Sequence, residues 1–368
     1  MFYLQRIVIG ALLTLLSIGI SAQKKIELSA NLSNKKSKTI SSVAKDIKYI
    51  PLETTPECLL SNELQIYCGD YVFVGDQKTQ LFFRFDLAGN LLNQIGKKGN
   101  GPGEYSGAMF FHVNESDESV YIVSVPDRNL YKYTYDGRFI KKIPIEESSW
   151  TIAMDENNIY YYNNYYNRIK KNKNIFELFK VDKNGKVINK TPTSVKSEKD
   201  DMLLFDLPFF YYYKNVVYYK NAVHDFVYKI NDKGKMEPHY EIVCKELNKH
   251  DENDFKNLKK YGEKVGVRTI FENDSFLLIT YIYKNEFNYL FVDKPTWSLS
   301  NVTNNKSESG FEEDLKKGPV FTPVQNNGSE KNKLVSIVYP ERFSDLKNCL
   351  DKEINEDDNP VIVIANLK

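Results

Sequence analysis

Four glycines set the period of this chain. Gly89, Gly137, Gly185 and Gly234 stand 48, 48 and 49 residues apart. Each closes a similar phrase: Phe85-Asp86-Leu-Ala-Gly89-Asn90, Tyr135-Asp136-Gly137-Arg138, Val181-Asp182-Lys-Asn-Gly185-Lys186 and Ile230-Asn231-Asp232-Lys-Gly234-Lys235. Asp or Asn followed by Gly suits a tight hairpin turn that needs positive φ.

Short aromatic or β-branched runs flank these turns. The first unit has Leu64–Cys68, Tyr71–Val74, Leu81–Phe85 and Leu91–Ile95. The second has Met109–Val113, Val120–Val123, Leu130–Tyr135 and Phe139–Ile143. The third has Trp150–Met154, Ile159–Tyr165, Phe176–Val181 and Val187–Lys190. A period near 50 residues with about four strands per repeat predicts a β-propeller. A fifth unit, Thr269–Ser300, lacks the glycine and reads Phe291-Val292-Asp293-Lys294-Pro295; a sixth is assembled from Val320–Val324, Leu334–Tyr339 and Val361–Asn366. The sixth is one strand short, and Ile47–Leu52 can supply it beside Val361–Ala365. This would close the ring without a free edge.

The expected fold is therefore all-β, a six-bladed propeller over 47–368 closed by its N-terminal strand, after a leader at 23–46. Two short amphipathic helices are expected as insertions. Asn248–Val265 places Phe255, Leu258, Tyr261 and Val265 at spacings of three and four, and Pro340–Glu353 does so with Phe343, Leu346, Leu350 and, just beyond, Ile354. Both read as packing elements resting on the propeller.

Residues 1–22 read as a signal peptide. Arg6 precedes the apolar run Ile7–Ile18, and Ala22 precedes Gln23, which places cleavage after Ala22. Export to the periplasm or the medium follows, with no membrane-spanning segment in the mature chain. No cysteine near the cleavage point offers a lipid attachment site. Lys plus Arg number 50 against 49 Asp plus Glu, and cleavage removes only Arg6, leaving zero net charge. Such a balance argues against nucleic acid and anionic membrane as partners.

Cys58, Cys68, Cys244 and Cys349 show no CxxC spacing. In an oxidising compartment a Cys58–Cys68 bridge across a short loop is one of the possible pairings; sequence alone leaves their redox state open.

The sequence assigns no catalytic residue, no metal ligand and no cofactor. His112, His224, His239 and His250 lack HExxH spacing, with His224 and His239 flanking a predicted strand pair as the weakest of hints, and no GxSxG elbow occurs. Asp70, Asp76 and Asp127 sit at turns, where backbone capping is the expected job. Gly99-x-Gly101-x-Gly103 resembles a phosphate cradle, yet Glu104-Tyr105 and a strand follow it rather than a helix; a tight crossing between blades explains the glycines. Tyr160–Tyr162, Phe209–Tyr213 and Tyr218-Tyr219 suit the wedges between blades. Tyr165 and Tyr166, near Arg168, could stack on sugar or peptide, and the basic run 168–173 reads as a solvated loop.

Tyr49-Ile-Pro-Leu-Glu53-Thr54, the block Ile95–Tyr105 and the ending Asp358-Asn-Pro360-Val-Ile-Val-Ile together resemble a family of six-bladed propellers exported by certain Gram-negative bacteria, NHL-like or TolB-like and largely of unknown function. The likeness spans nearly the whole mature chain. Many relatives carry a lipoprotein cysteine that this chain lacks, and the resemblance brings no catalytic residues. The favoured expectation is a non-catalytic binding or scaffold propeller that recognises a protein, peptide or glycan through its channel mouth and loops. The alternative is a glycan-active hydrolase or lyase, which requires a convergent acidic and aromatic site at the central channel.

Overall fold

The computed structural model describes residues 24–147, 149–163, 176–192, 208–221, 225–245, 264–326, 332–346, 349–350 and 353–368. Three strands come first: β1 (Lys24–Ile26), β2 (Lys35–Ser37) and β3 (Ala44–Pro51). Blade I follows as β4 (Leu64–Cys68), β5 (Val72–Asp76), β6 (Leu81–Phe85) and β7 (Leu91–Gln94). Blade II is β8 (Phe110–Asn114), β9 (Ser119–Ser124), β10 (Asn129–Thr134) and β11 (Phe139–Pro144). Blade III is β12 (Ile152–Met154), β13 (Asn158–Tyr162), β14 (Phe176–Asp182) and β15 (Val187–Pro192). Blade IV comprises β16 (Phe209–Tyr213), β17 (Val216–Lys220), β18 (Phe226–Ile230) and β19 (Met236–Ile242). Blade V comprises β20 (Gly266–Glu272), β21 (Phe276–Tyr283), β22 (Glu286–Asp293) and β23 (Ser298–Thr303). Blade VI contains β24 (Lys333–Val338) and β25 (Val361–Leu367). The six sheets make an all-β, six-bladed propeller.

Blade VI is built from both ends of the chain. β25 pairs antiparallel with β24 on one side and with β3 on the other, Val363 opposite Tyr49. The segment before β24 supplies the inner position: Val324 bridges Val335, and Asn326 bridges Ile66 of blade I. Asn359 secures the seam. Its Nδ2 donates to the carbonyls of Glu53 and Cys58, and its Oδ1 accepts from Leu60 N.

The leader does more than precede the ring. β1 pairs parallel with β19, the outer strand of blade IV, and β2 pairs parallel with β23, the outer strand of blade V. Residues 24–51 thus run along the rims of three successive blades. Ile26 and Leu28 are fully buried in the wedge between blades IV and V. Each three-residue strand is too short to announce itself in sequence; each forms because an outer strand offers unpaired backbone groups.

The repeated glycines do two jobs. Gly89, Gly137, Gly185 and Gly234 have φ between +74° and +92° and close hairpins, and the first three follow a bulge just before the turn. Each turn also abuts the neighbouring blade, so that a Cβ on Gly137 or Gly185 would meet the carbonyl oxygen of Gln94 or Pro144 on the preceding outer strand. Blade V lacks the glycine; there Asp293 caps Thr296, and Trp297 takes the positive φ of 55°.

Aromatic side chains fill the wedges. Tyr67, Phe73 and Phe82 of blade I pack with Phe111, Tyr131 and Tyr133 of blade II, and Tyr160 and Tyr162 of blade III pack with Phe210 and Tyr219 of blade IV. These rings bury the largest apolar areas available and hold adjacent sheets in register.

One expectation changes. The described start of the expected helix at 340–353 is not α-helical: a 3-10 helix covers Pro340–Leu346 and buries Phe343 and Leu346, one turn apart. Leu350 and Ile354 pack against the same core from beyond it. The other expected helix, 248–265, lies outside the described residues save its last two. The structure also answers a question that the sequence leaves open, the state of the cysteines. All four cysteines are free and buried. Burial pushes the thiols of Cys58, Cys68 and Cys244 up to about 12, which marks them as packing groups rather than nucleophiles.

Candidate functional site

The glycine block folds into its own anion site and fills it. Gly101 N donates to Glu104 Oε2 at 2.9 Å, Lys97 pairs with the other oxygen at 3.1 Å, and the Gly99 α-carbon lies against the same carboxylate. Tyr105 reaches Gln80 O and Tyr133 reaches Gly103 O, tying the loop to blades I and II. The block is a crossing between blades.

Asp76 and Asp127 cap their own turns. Asp76 accepts from the backbone of Ser61, Lys78 and Thr79, and from Ser61 Oγ. Burial opposes ionisation of Asp127, but hydrogen bonds from Ser106, Ser124 and Tyr131 prevail and hold its carboxyl at about 2. Asp70 is exposed. Tyr165, Tyr166, Arg168, the basic run, His224 and His250 lie outside the described residues. Among the described residues no group of three His, Cys, Asp or Glu is arranged to hold a metal ion.

The central channel is nearly closed. Phe111, Ile152, Phe210, Phe271 and Val335 converge from the blades and leave a cavity of about 80 Å³, lined also by His112, Gln325 and Lys333. His112 is buried, and desolvation, with Lys183 as the lesser cause, lowers its pKa to about 3. Its Nε2 lies 3.5 Å from the Tyr212 hydroxyl, which accepts from Met154 N and donates to Met154 O. His112 is thus a neutral core histidine.

Larger openings flank the channel on its two faces. Where the inner strands begin, a groove of about 490 Å³ lies between blades V and VI. Phe287, Tyr289, Ile337 and Tyr339 supply apolar surface; Arg268, Glu341 and Arg342 supply charge. Tyr289 is buried to its hydroxyl, whereas Phe287 is 56% exposed. Arg342 bonds Asp345 Oδ2 through Nε at 3.2 Å and Nη2 at 3.1 Å, in an exposed pair.

On the opposite face, where the inner strands end, a polar cleft of about 650 Å³ spans blades II to IV. Asn114, Asp155, Glu156, Asn157, Lys180 and Asp232 line it, with His112 and Tyr212 at its base. Asp155 is already committed, accepting from Asn157 N, Asn158 N and the Tyr160 hydroxyl. Burial opposes its ionisation, yet those bonds hold its pKa below the ordinary value. It is an ionised cap, unlike the raised carboxyl a general acid needs.

Sequence reading missed one further cluster. Glu272, at the end of β20, is 1% exposed and accepts from the Tyr211 hydroxyl at 3.0 Å, the Tyr240 hydroxyl at 2.8 Å and Lys294 Nζ at 2.7 Å. His239 Nε2 stands 3.7 Å away. Burial raises the carboxyl, but the nearby His239 imidazole, Lys294 and the Tyr240 hydroxyl outweigh it and hold its pKa below the ordinary value. The cluster joins blades IV and V. The sequence offers no cue beyond an acidic residue at a strand end, Ile270-Phe271-Glu272.

A family model matches residues 23–366, nearly the whole chain. The chain belongs to the family described as Domain of unknown function (DUF4934). Among solved structures, this DUF4934 chain is similar to a Bacteroides fragilis protein expected to be exported, at 18% identity and TM-score 0.67, covering 94% of this chain and 99% of that one. It is also similar to a member of the DUF4221 family from Bacteroides vulgatus, at 13% identity and TM-score 0.54, covering 89% and 97%. Both likenesses bear on the propeller fold. No curated protein matches the sequence. Within the described residues of the DUF4934 chain, no helix is long and apolar enough to cross a membrane.

Proposed function

We propose that the chain is an exported, non-catalytic binding propeller, processed after Ala22 and acting in the periplasm or outside the cell. It recognises its ligand at the groove between blades V and VI, beside the channel mouth. The observation that carries this is the groove's make-up: a concave aromatic and aliphatic surface with a few charged groups at its edge, the pattern of a recognition pocket. Glu341 is the one carboxylate among its described lining residues, so the paired carboxylates of a glycosidase are not assembled there. Leader and ring act as one unit, residues 23–46 serving as a strap around 47–368.

The test is a thermal-shift screen of the purified protein against peptides, oligosaccharides and divalent metals, repeated with Phe287→Ala. A ligand that raises the melting temperature of the parent protein and loses that effect in the variant supports the groove. Ligands that stabilise both proteins equally would place recognition elsewhere.

A second reading has its own observation. The polar cleft gathers Glu156, Asp232 and Asn157 beside Lys180, side chains suited to sugar hydroxyls. A glycan-active enzyme would work there. Reducing-sugar release from oligosaccharides, abolished by Asp232→Asn, supports that alternative; no release from any glycan argues for the binding reading.

A further inference from the structure

We infer that Gln23, once freed as the mature N-terminus, cyclises to pyroglutamate, and that the lactam caps the strap against stepwise proteolysis. The modification rests on the proposed processing after Ala22. Gln23 follows Ala22 directly, and the match to the DUF4934 family begins at the same residue.

The reaction needs no partner. The α-amine of an N-terminal glutamine reaches its own side-chain amide carbon through a five-membered ring, so nucleophile and electrophile are held together by covalent geometry. An α-amine titrates at about 7.7–8.0, which leaves a fraction unprotonated and nucleophilic at neutral pH. The N–Cδ bond forms as the Cδ–Nε2 bond breaks, and the attacking nitrogen passes one proton to the departing amide, which leaves as ammonia. The product is a neutral lactam, formed without oxidant, reductant or metal.

The strap gives this terminus its importance. β1 begins at Lys24, opposite Tyr240, so pairing starts at the second residue of the processed chain. Lys25 pairs with Glu241 at 3.1 Å, and Lys24 Nζ lies 4.3 Å from the centre of the Trp297 ring, whose Nε1 donates to Lys25 O at 2.9 Å. Ile26 and Leu28 follow, buried between blades IV and V. There is almost no overhang to lose. An aminopeptidase that removed Gln23 to Ile26 would take the whole of β1 and bare the edge of β19. Chain termini are where proteolysis concentrates, and an exported protein meets peptidases without resupply. A lactam offers no free α-amine, the group that an aminopeptidase grips, so stepwise removal does not begin.

The test is mass spectrometry of the protein exported and processed by a Gram-negative host, then incubated at neutral pH. The N-terminal peptide released by cutting after Glu27 should start at residue 23 and weigh about 17 Da less than its unmodified form, the mass of one ammonia. Its terminus should resist amine labelling until pyroglutamyl peptidase is added. Gln23→Asn keeps a side-chain amide but is one methylene too short for the five-membered ring, so that variant should retain its full mass and a reactive amine. In an aminopeptidase digest the variant should lose β1 roughly fivefold faster than the parent. A parent peptide that starts at residue 23 with full mass and a free amine overturns the inference and leaves processing after Ala22 intact. A peptide that starts at any other residue overturns the processing itself. Equal trimming of a cyclised parent and of Gln23→Asn overturns the role of the lactam as a cap.

Discussion

Gly89 sits in a left-handed conformation, φ +92°, with the carbonyl oxygen of Pro51 where its Cβ would stand. The contact joins the hairpin turn of blade I to β3 of blade VI. Glu53 N donates to Gly89 O at 2.8 Å and Glu53 Oε2 accepts from Leu91 N at 2.7 Å, so the ring is closed at its rim as well as in its sheet.

Gly89→Ala should therefore lower stability by about 2 kcal/mol or more, from strained φ and the displaced contact together. Gly107→Ala is the matched control, since its nearest neighbours would lie at 3.4 Å and its φ is not positive. Urea melts of both variants check this. Equal effects would show that the seam is not sensitive to the turn.

Asn359 holds the same seam from the C-terminal side through three side-chain hydrogen bonds, to Glu53, Cys58 and Leu60, while its backbone N donates to Thr54 Oγ1. It is 4% exposed. Asn359→Leu leaves buried backbone groups unpaired and should cost about 2–4 kcal/mol. Amide exchange should quicken in β3 and β25 well before it does in blade III.

His112 makes the protein acid-sensitive. Its pKa falls from an ordinary 6.5 to about 3 because burial disfavours the imidazolium. Below pH 6.5 the unfolded chain takes up a proton that the native state refuses, so stability is lost as pH falls towards 3. The loss is on the order of 4 kcal/mol across that window. His112→Leu should flatten the stability profile there, as read by melts from pH 7 to pH 4. An unchanged slope would mean that the ring is already protonated or solvated.

The strap protects two blade edges. Removing residues 24–37 would expose β19 and β23 and empty the places of Ile26 and Leu28. Concentration-dependent association in gel filtration is the expected outcome, along with a lower melting temperature. Among the described residues the outer strands of blades I, II and III go unstrapped; β11 carries Lys141, Lys142 and Pro144, and β15 carries Lys190 and Pro192. Such residues discourage further pairing.

Much of the ring was legible because its signals are local. A hairpin needs its glycine within a few residues of its strands, so the 48- and 49-residue spacing survives in the linear chain. The apolar spacing from Phe343 to Ile354 was legible too, but it under-determined the backbone. A 3-10 helix over Pro340–Leu346 already buries Phe343 and Leu346, and Leu350 and Ile354 pack against the same core.

The groove was not legible. Arg268, Tyr289, Ile337 and Arg342 belong to separate strands and loops of two blades, and no spacing in the sequence relates them. The strap was hidden for a similar reason: Lys24 to Ile26 becomes a strand only by pairing with residues 240–242.

The sequence by itself determined the repeat, the turns, the aromatic wedges and the closure of blade VI by the N-terminal strand, since each depends on patterns within a blade's length or on one evident missing strand. Tertiary structure alone decided that the glycine cradle is filled by Glu104, that Cys58 and Cys68 stay unpaired, that Glu272 becomes a buried link between blades, and that an apolar groove with charged groups at its edge opens beside a nearly closed channel. Those outcomes turn on distances between side chains far apart in the chain, and only the closed ring sets them.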